Sequence, residues 1–166
     1  FGPQQEYVRS GLKIAQWKKN FEYLLSEKWI KVNINQTITL LTIKTMPDLL
    51  LYINELKKYR SIGHFFSTVS PEGDFGQGGP SYMHPKILGP DEFIEDFQSI
   101  LNLMPKDTDR EKIALQYMEG IVKECQSSVQ NGEEIVKLFT FLDEKDRRRK
   151  TNWRPIFPWL EKYVVQ

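Results

Sequence analysis

The chain has 166 residues, 40% of them hydrophobic, 13% aromatic and 27% charged, which is enough apolar material for about one domain and too much for a disordered segment. Its 23 basic and 22 acidic residues leave a formal charge of +1, so no global electrostatic pull toward nucleic acid or an anionic membrane is expected. A single cysteine, Cys125, excludes an internal disulfide and any self-contained multi-cysteine zinc or iron–sulfur site, and fits a reducing, cytoplasmic setting.

The sequence opens Phe1-Gly2-Pro3. Its first twenty residues carry no signal-peptide run, and no stretch approaches the roughly 18 apolar residues of a membrane span. It reads as soluble and as a piece of something longer. Ile14, Trp17, Phe21, Leu24 and Leu25 recur at helical spacing, which predicts an amphipathic helix over 12–28. From 32 to 43 the side chains alternate, with Val32, Ile34, Ile38 and Leu40 on one face and Asn33, Asn35, Thr37 and Thr39 on the other, the mark of a strand. Pro47 suits the first turn of a helix whose stripe is Leu49, Tyr52, Ile53 and Leu56. The aromatic and β-branched run 62–69 predicts a second strand. Strand, helix, strand implies a parallel βαβ unit with a right-handed crossover.

Four glycines and two prolines between 70 and 81 predict a functional or mobile loop over a pocket. Residues 82–88 read as a third short strand, despite Pro85. Pro90 then opens a helix carrying Phe93, Ile94, Phe97, Ile100, Leu101 and Met104. Thr108 and Glu111 have capping-box spacing before the stripe Ala114, Met118, Ile121, Val122 and Cys125. A further helix follows Asn131-Gly132, and Asn152 caps a final segment with Trp153, Phe157 and Leu160.

The polar face of the strand at 32–43 is the first chemical candidate, because a strand covered on both sides is normally apolar. It lines either a wet lumen or an exposed edge. Gly73, Gly76, Gly78 and Gly79 lack the lysine of a phosphate loop and the order of a dinucleotide fingerprint. His64 and His84, on separate predicted strands with one distant cysteine, do not make a zinc site by spacing. Each is either a proton carrier or a hydrogen-bonded structural histidine. Arg147-Arg148-Arg149-Lys150, preceded by Asp143, Glu144 and Asp146, reads as a salt-bridged helix end rather than a nucleic-acid patch. Glu6 and Arg9, three apart, suggest a surface ion pair, or an arginine free to grip a carboxylate.

The opening Phe1-Gly2-Pro3-Gln4-Gln5-Glu6-Tyr7-Val8-Arg9 with Trp17 and Asn20, then Thr37-Ile38-Thr39-Leu40-Leu41-Thr42, resembles the second half of a radical S-adenosylmethionine (SAM) barrel. The closing Phe141-Leu142-Asp143-Glu144-Lys145-Asp146-Arg147-Arg148-Arg149, with Thr151-Asn152-Trp153-Arg154 and Phe157-Pro158, resembles the tail of twitch-domain-containing radical SAM proteins, often found in phage and environmental sequences. The resemblance implies an α/β fold in which 1–105 are the last strands of an incomplete (β/α) barrel and 106–166 a helical C-terminal extension. It places Gly2 and Arg9 near the ribose or carboxylate of SAM, Asn35, Thr37 and Thr42 on the cofactor and substrate side of the fifth strand, and His84 on the substrate side of a seventh. Relatives often carry asparagine where Thr42 stands.

The family's C-x-x-x-C-x-x-C motif, which holds a [4Fe–4S] cluster, is absent. The intact parent is thus expected to cleave SAM reductively and abstract hydrogen from a peptide or small-molecule substrate. This fragment alone is expected to be inactive and to need the missing N-terminal half of the barrel as partner. The competing class is a non-catalytic α/β protein-interaction module. Nucleic-acid binding through 147–150 ranks last, and no membrane partner is expected.

Overall fold

The computed structural model describes residues 1–69 and 79–164; the expected loop over a pocket falls largely on 70–78, outside them. A proline in the first turn of a helix forgoes an N–H that would have no partner, and Pro3 stands there in a short α1 (Pro3–Val8). Gly2 is its N-cap, at φ 71, a left-handed backbone that a Cβ disfavours. The helix predicted over 12–28 is α2 (Ile14–Ser26). Glu6 caps it from outside: Oε1 accepts the Ile14 N–H at 2.9 Å and Oε2 receives Lys13 Nζ at 3.2 Å. Glu6 therefore faces Lys13 and not Arg9, the partner that spacing alone suggested.

β1 (Val32–Ile38) keeps the alternation read from the sequence, with Asn33, Asn35 and Thr37 exposed. It stops at Ile38, well short of 43, because two threonines close a turn. Thr42 Oγ1 accepts the Thr39 N–H at 3.1 Å and donates to the Thr39 carbonyl at 3.0 Å, so these groups are engaged locally instead of in a ladder. Leu40, Leu41 and Ile43 are thereby delivered to the core. A single 3-10 turn, Ile43–Thr45, leads into α3 (Met46–Lys57), with Pro47 in its first turn. β2 (Ile62–Thr68) then pairs parallel with β1, in register from Val32 and Ile62 to Ile38 and Thr68.

The third strand is replaced by two 3-10 turns, Ser81–Met83 and Pro85–Leu88. Pro85 has no N–H for a ladder, and His84 Nδ1 accepts the Lys86 N–H at 3.2 Å, tightening the second turn. Among the described residues the sheet is β1 and β2 alone. The expected incomplete (β/α) barrel is thus corrected to a helix-rich α/β domain built on a two-stranded parallel sheet, and the strand polar face lines no barrel lumen.

The remainder is α4 (Ile94–Leu103), α5 (Asp109–Gln126) and α6 (Gly132–Arg149). The capping box of Thr108 and Glu111 forms at α5, and Asn131 accepts the Glu134 N–H at 3.2 Å at α6. One large apolar cluster contains Tyr7, Ile38, Leu50, Phe97, Met118, Leu138 and Trp153, and so takes residues from both sides of position 105. A smaller cluster of Phe21, Ile53 and Ile62, with Trp17, Ile34 and Leu49 against it, joins α2 and α3 to the sheet.

The C-terminal motif is a hydrogen-bonded clasp. α6 ends at Lys150 in a left-handed conformation, φ 54, and the chain folds back. Asp146 accepts from the Tyr7 hydroxyl at 2.9 Å, the Thr151 hydroxyl at 2.6 Å and the Trp153 N–H at 2.7 Å. Asp143 accepts the Trp153 indole N–H at 2.9 Å. Behind these bonds Trp153, Phe157 and Leu160 are buried, and the Tyr7 and Phe157 rings meet edge to face at 5.4 Å.

Candidate functional site

A cavity of about 430 Å³ opens where α1, α2 and the start of α3 meet β1. Residues from both faces of β1, Ile34 to Thr37, reach it, and β2 contributes none. It therefore follows the edge of β1 that β2 leaves free. Val8, Leu12, Ile14, Trp17 and Leu49 make an apolar wall, while Gln5, Asn35, Gln36, Thr37, Thr39, Thr42 and Thr45 supply amides and hydroxyls. Arg9, at the exposed end of α1, brings the charged side chain, and no carboxylate pairs with it among the described residues.

Four residues singled out from the sequence, Arg9, Asn35, Thr37 and Thr42, come together on this wall although they span 33 positions of chain. Gly2 does not line the cavity; it sits at the N-cap of α1, next to Phe1, which does. Their freedom differs. The Asn35 side chain is exposed, the Thr37 hydroxyl accepts from Ser67 Oγ at 3.4 Å, and the Thr42 hydroxyl is held by both backbone groups of Thr39. Thr42 thus shapes the cavity more than it offers a bond to its contents.

His84 lies elsewhere, 2% exposed between the two 3-10 turns and off the cavity wall. Its Nδ1 accepts from Lys86, so the proton sits on Nε2, which is 3.7 Å from Glu124 Oε2. Burial pushes its pKa down, against the opposing pull of Glu124. His64 packs on the Phe66 ring at 4.3 Å and places Nε2 2.9 Å from Gln36 Oε1. Burial, helped by the nearby Lys57 charge, lowers its pKa to about 4. Both histidines are neutral at pH 7, held in place by hydrogen bonds.

No group of three or more His, Cys, Asp or Glu side chains is arranged for a metal among the described residues. Cys125 is buried in α5, where burial pushes its thiol up to about 12. A [4Fe–4S] cluster needs three or four accessible thiolates, so the residues present do not fit one. The basic run at the end of α6 is tied to acids: Arg147 Nε meets Glu144 Oε2 at 2.7 Å and Arg148 also pairs with Glu144. Those two guanidiniums hold the Glu144 carboxyl at about 2. Within the described residues no helix is long and apolar enough to cross a membrane.

Sequence reasoning did not pick out Gln5, Leu12 or Thr45 for the site, and it assigned Ile14 and Trp17 to a core stripe. No sequence signal separates them: Ile14 and Trp17, which line the cavity, share one helical stripe with the buried Phe21. No protein-family model matches the chain, and neither does a curated protein or a solved structure.

Proposed function

We propose that the cavity beside β1 is a binding site for SAM, and that the chain supplies the nucleotide- and amino-acid-binding share of a radical SAM enzyme. The supporting observation is the convergence of Arg9, Asn35 and Thr37 with an apolar wall in one space of about 430 Å³. An arginine without a carboxylate partner among the described residues is suited to a bidentate grip on the methionyl carboxylate. Leu12, Ile14 and Trp17 offer a surface for the flat adenine, and the Asn35 amide and Thr37 hydroxyl suit the ribose hydroxyls. When bound, SAM supplies a sulfonium whose reductive cleavage yields a carbon radical. Cluster thiolates, absent from these 166 residues, belong in this reading to another segment of the parent. The chain's own part is to hold, orient and shield a ligand, with a peptide or small molecule as the eventual substrate.

Equilibrium dialysis with S-adenosylhomocysteine, which needs no reductant, tests the reading. Saturable one-to-one binding that Arg9→Ala weakens at least tenfold is expected. Absence of binding to the folded chain at millimolar ligand sinks it. A second reading, a protein-interaction module, draws on the same free edge of β1, to which an extended segment can add as a strand. In that case a peptide, and not the nucleoside, occupies the cavity.

A further inference from the structure

Trp29 and Tyr59, 82% and 86% exposed, are the most exposed large hydrophobic side chains among the described residues. Thirty positions separate them in sequence, yet the fold brings the two loops that carry them together. Arg60 donates to the carbonyls of Leu25 and Ile30, which ties the loop carrying Trp29 to the loop carrying Tyr59. Both loops lie at the N-terminal end of the parallel pair, where Val32 meets Ile62, and the cavity of the proposed site includes neither ring. The Trp29 indole is oriented by a hydrogen bond to Glu27 at 3.1 Å.

The surroundings are basic. Lys28 and Lys31 have no carboxylate partner among the described residues, and Arg60 bonds to carbonyls. Lys58 pairs with Glu55 at 2.6 Å. Lys57 is neutralised by Glu111 at 2.7 Å. Four cations, Lys28, Lys31, Lys58 and Arg60, thus stand against two carboxylates, Glu27 and Glu55.

We propose that this end of the sheet is a peripheral contact for an anionic lipid surface. Tryptophan and tyrosine carry an apolar body and a polar edge, the combination that settles at headgroup depth. Lysines beside them gain from the negative potential of acidic lipids. Exposed aromatic rings on two joined loops suit a plane better than a chain lying in a groove, and two lysines without a carboxylate partner among the described residues are few for tracking a phosphate backbone. Lying on a membrane requires no spanning helix, so the absence of one among the described residues is no obstacle.

The test uses the full 166-residue chain with vesicles of phosphatidylcholine alone or mixed with phosphatidylglycerol. Co-sedimentation with the anionic vesicles only is expected, lost as salt rises. Trp29→Ala with Tyr59→Ala should lower partitioning at least tenfold, and Lys28→Ala and Lys31→Ala about fivefold each, equivalent to about 1 kcal/mol per lysine. Circular dichroism should match the parent, since these side chains face solvent. Brominated lipid should quench fluorescence in the parent, and Trp29→Phe should remove most of that quenching. Three results overturn the proposal: no anionic-vesicle binding at low salt, unchanged partitioning of the aromatic double variant, or preferential binding of an oligothymidylate that quenches Trp29.

Discussion

Asp146 and Arg9 carry opposite charges and opposite circumstances. Asp146 receives three donors, from Tyr7, Thr151 and Trp153, over a buried aromatic group. Arg9 stands on a cavity wall with no carboxylate beside it among the described residues. Where the fold satisfies a polar group completely, the group holds the fold. Where it leaves donors facing an open space, the group remains available to something else. The C-terminal clasp and the β1 edge are the two ends of that scale, and substitutions in each should fall on different observables.

The sharpest way to break the contrast is at Trp153, whose fully buried ring leaves a large void when removed. Trp153→Ala should cost about 3–5 kcal/mol in urea unfolding, a large part of a single domain's stability. Asp146→Ala comes next. It strands the Tyr7 hydroxyl, the Thr151 hydroxyl and the Trp153 N–H, for an expected loss of roughly 2–4 kcal/mol. Asp146→Asn keeps one carbonyl acceptor and should recover part of it. If either alanine variant unfolds at the parent's midpoint, the clasp is not what joins α1 to α6.

A third measurement sharpens the contrast through pH. His64, depressed to about 4 from an unfolded value near 6.5, is neutral when folded and gains a proton more readily when unfolded. Its contribution is therefore fully present above about pH 6.5 and is lost as pH falls toward 4. The size expected is about 2–3 kcal/mol. His84 is shifted in the same direction, so its contribution too is lost as pH falls below about 6.5. His64→Leu should flatten the stability curve between pH 6.5 and 4.5 by its own share and leave that of His84. A curve of unchanged slope would show that His64 is hydrated in the fold.

Much of this organisation is legible in the sequence where one local rule decides the outcome. The alternation from Val32 to Ile38 and the capping box of Thr108 and Glu111 appear as read, whereas of the stripe read for α3 only Ile53 is fully buried, and Leu50, outside that stripe, is buried as well. The errors lie where side chains compete with the ladder. Thr39 and Thr42 bond to each other's backbone and end β1 early, and an alternating pattern carries no sign of that. At 82–88 Pro85 gave a warning, but the local turn-forming bond from the Lys86 N–H to His84 Nδ1, two residues back, is not marked by the alternation of the run. At the site, Asn35 and Thr37 were visible as a polar face. The reach of α1 across to that face was not, because it depends on Glu6 capping α2.

The smallest expected change in stability, and the largest in binding, is at Arg9. Its side chain is exposed and carries no ion pair among the described residues, so Arg9→Ala should move the unfolding midpoint by no more than about 0.5 kcal/mol. A carboxylate-bearing nucleoside should nevertheless bind at least tenfold more weakly, while adenosine, which lacks the carboxylate, should bind the parent and the variant alike. Arg9→Lys separates charge from geometry: a point charge restores attraction but not two parallel bonds, so it should recover only part of the loss. If adenosine and S-adenosylhomocysteine suffer equally in Arg9→Ala, the arginine shapes the cavity without reading an anion. The contrast with Asp146 would then have to rest on Asn35 and Thr37 alone.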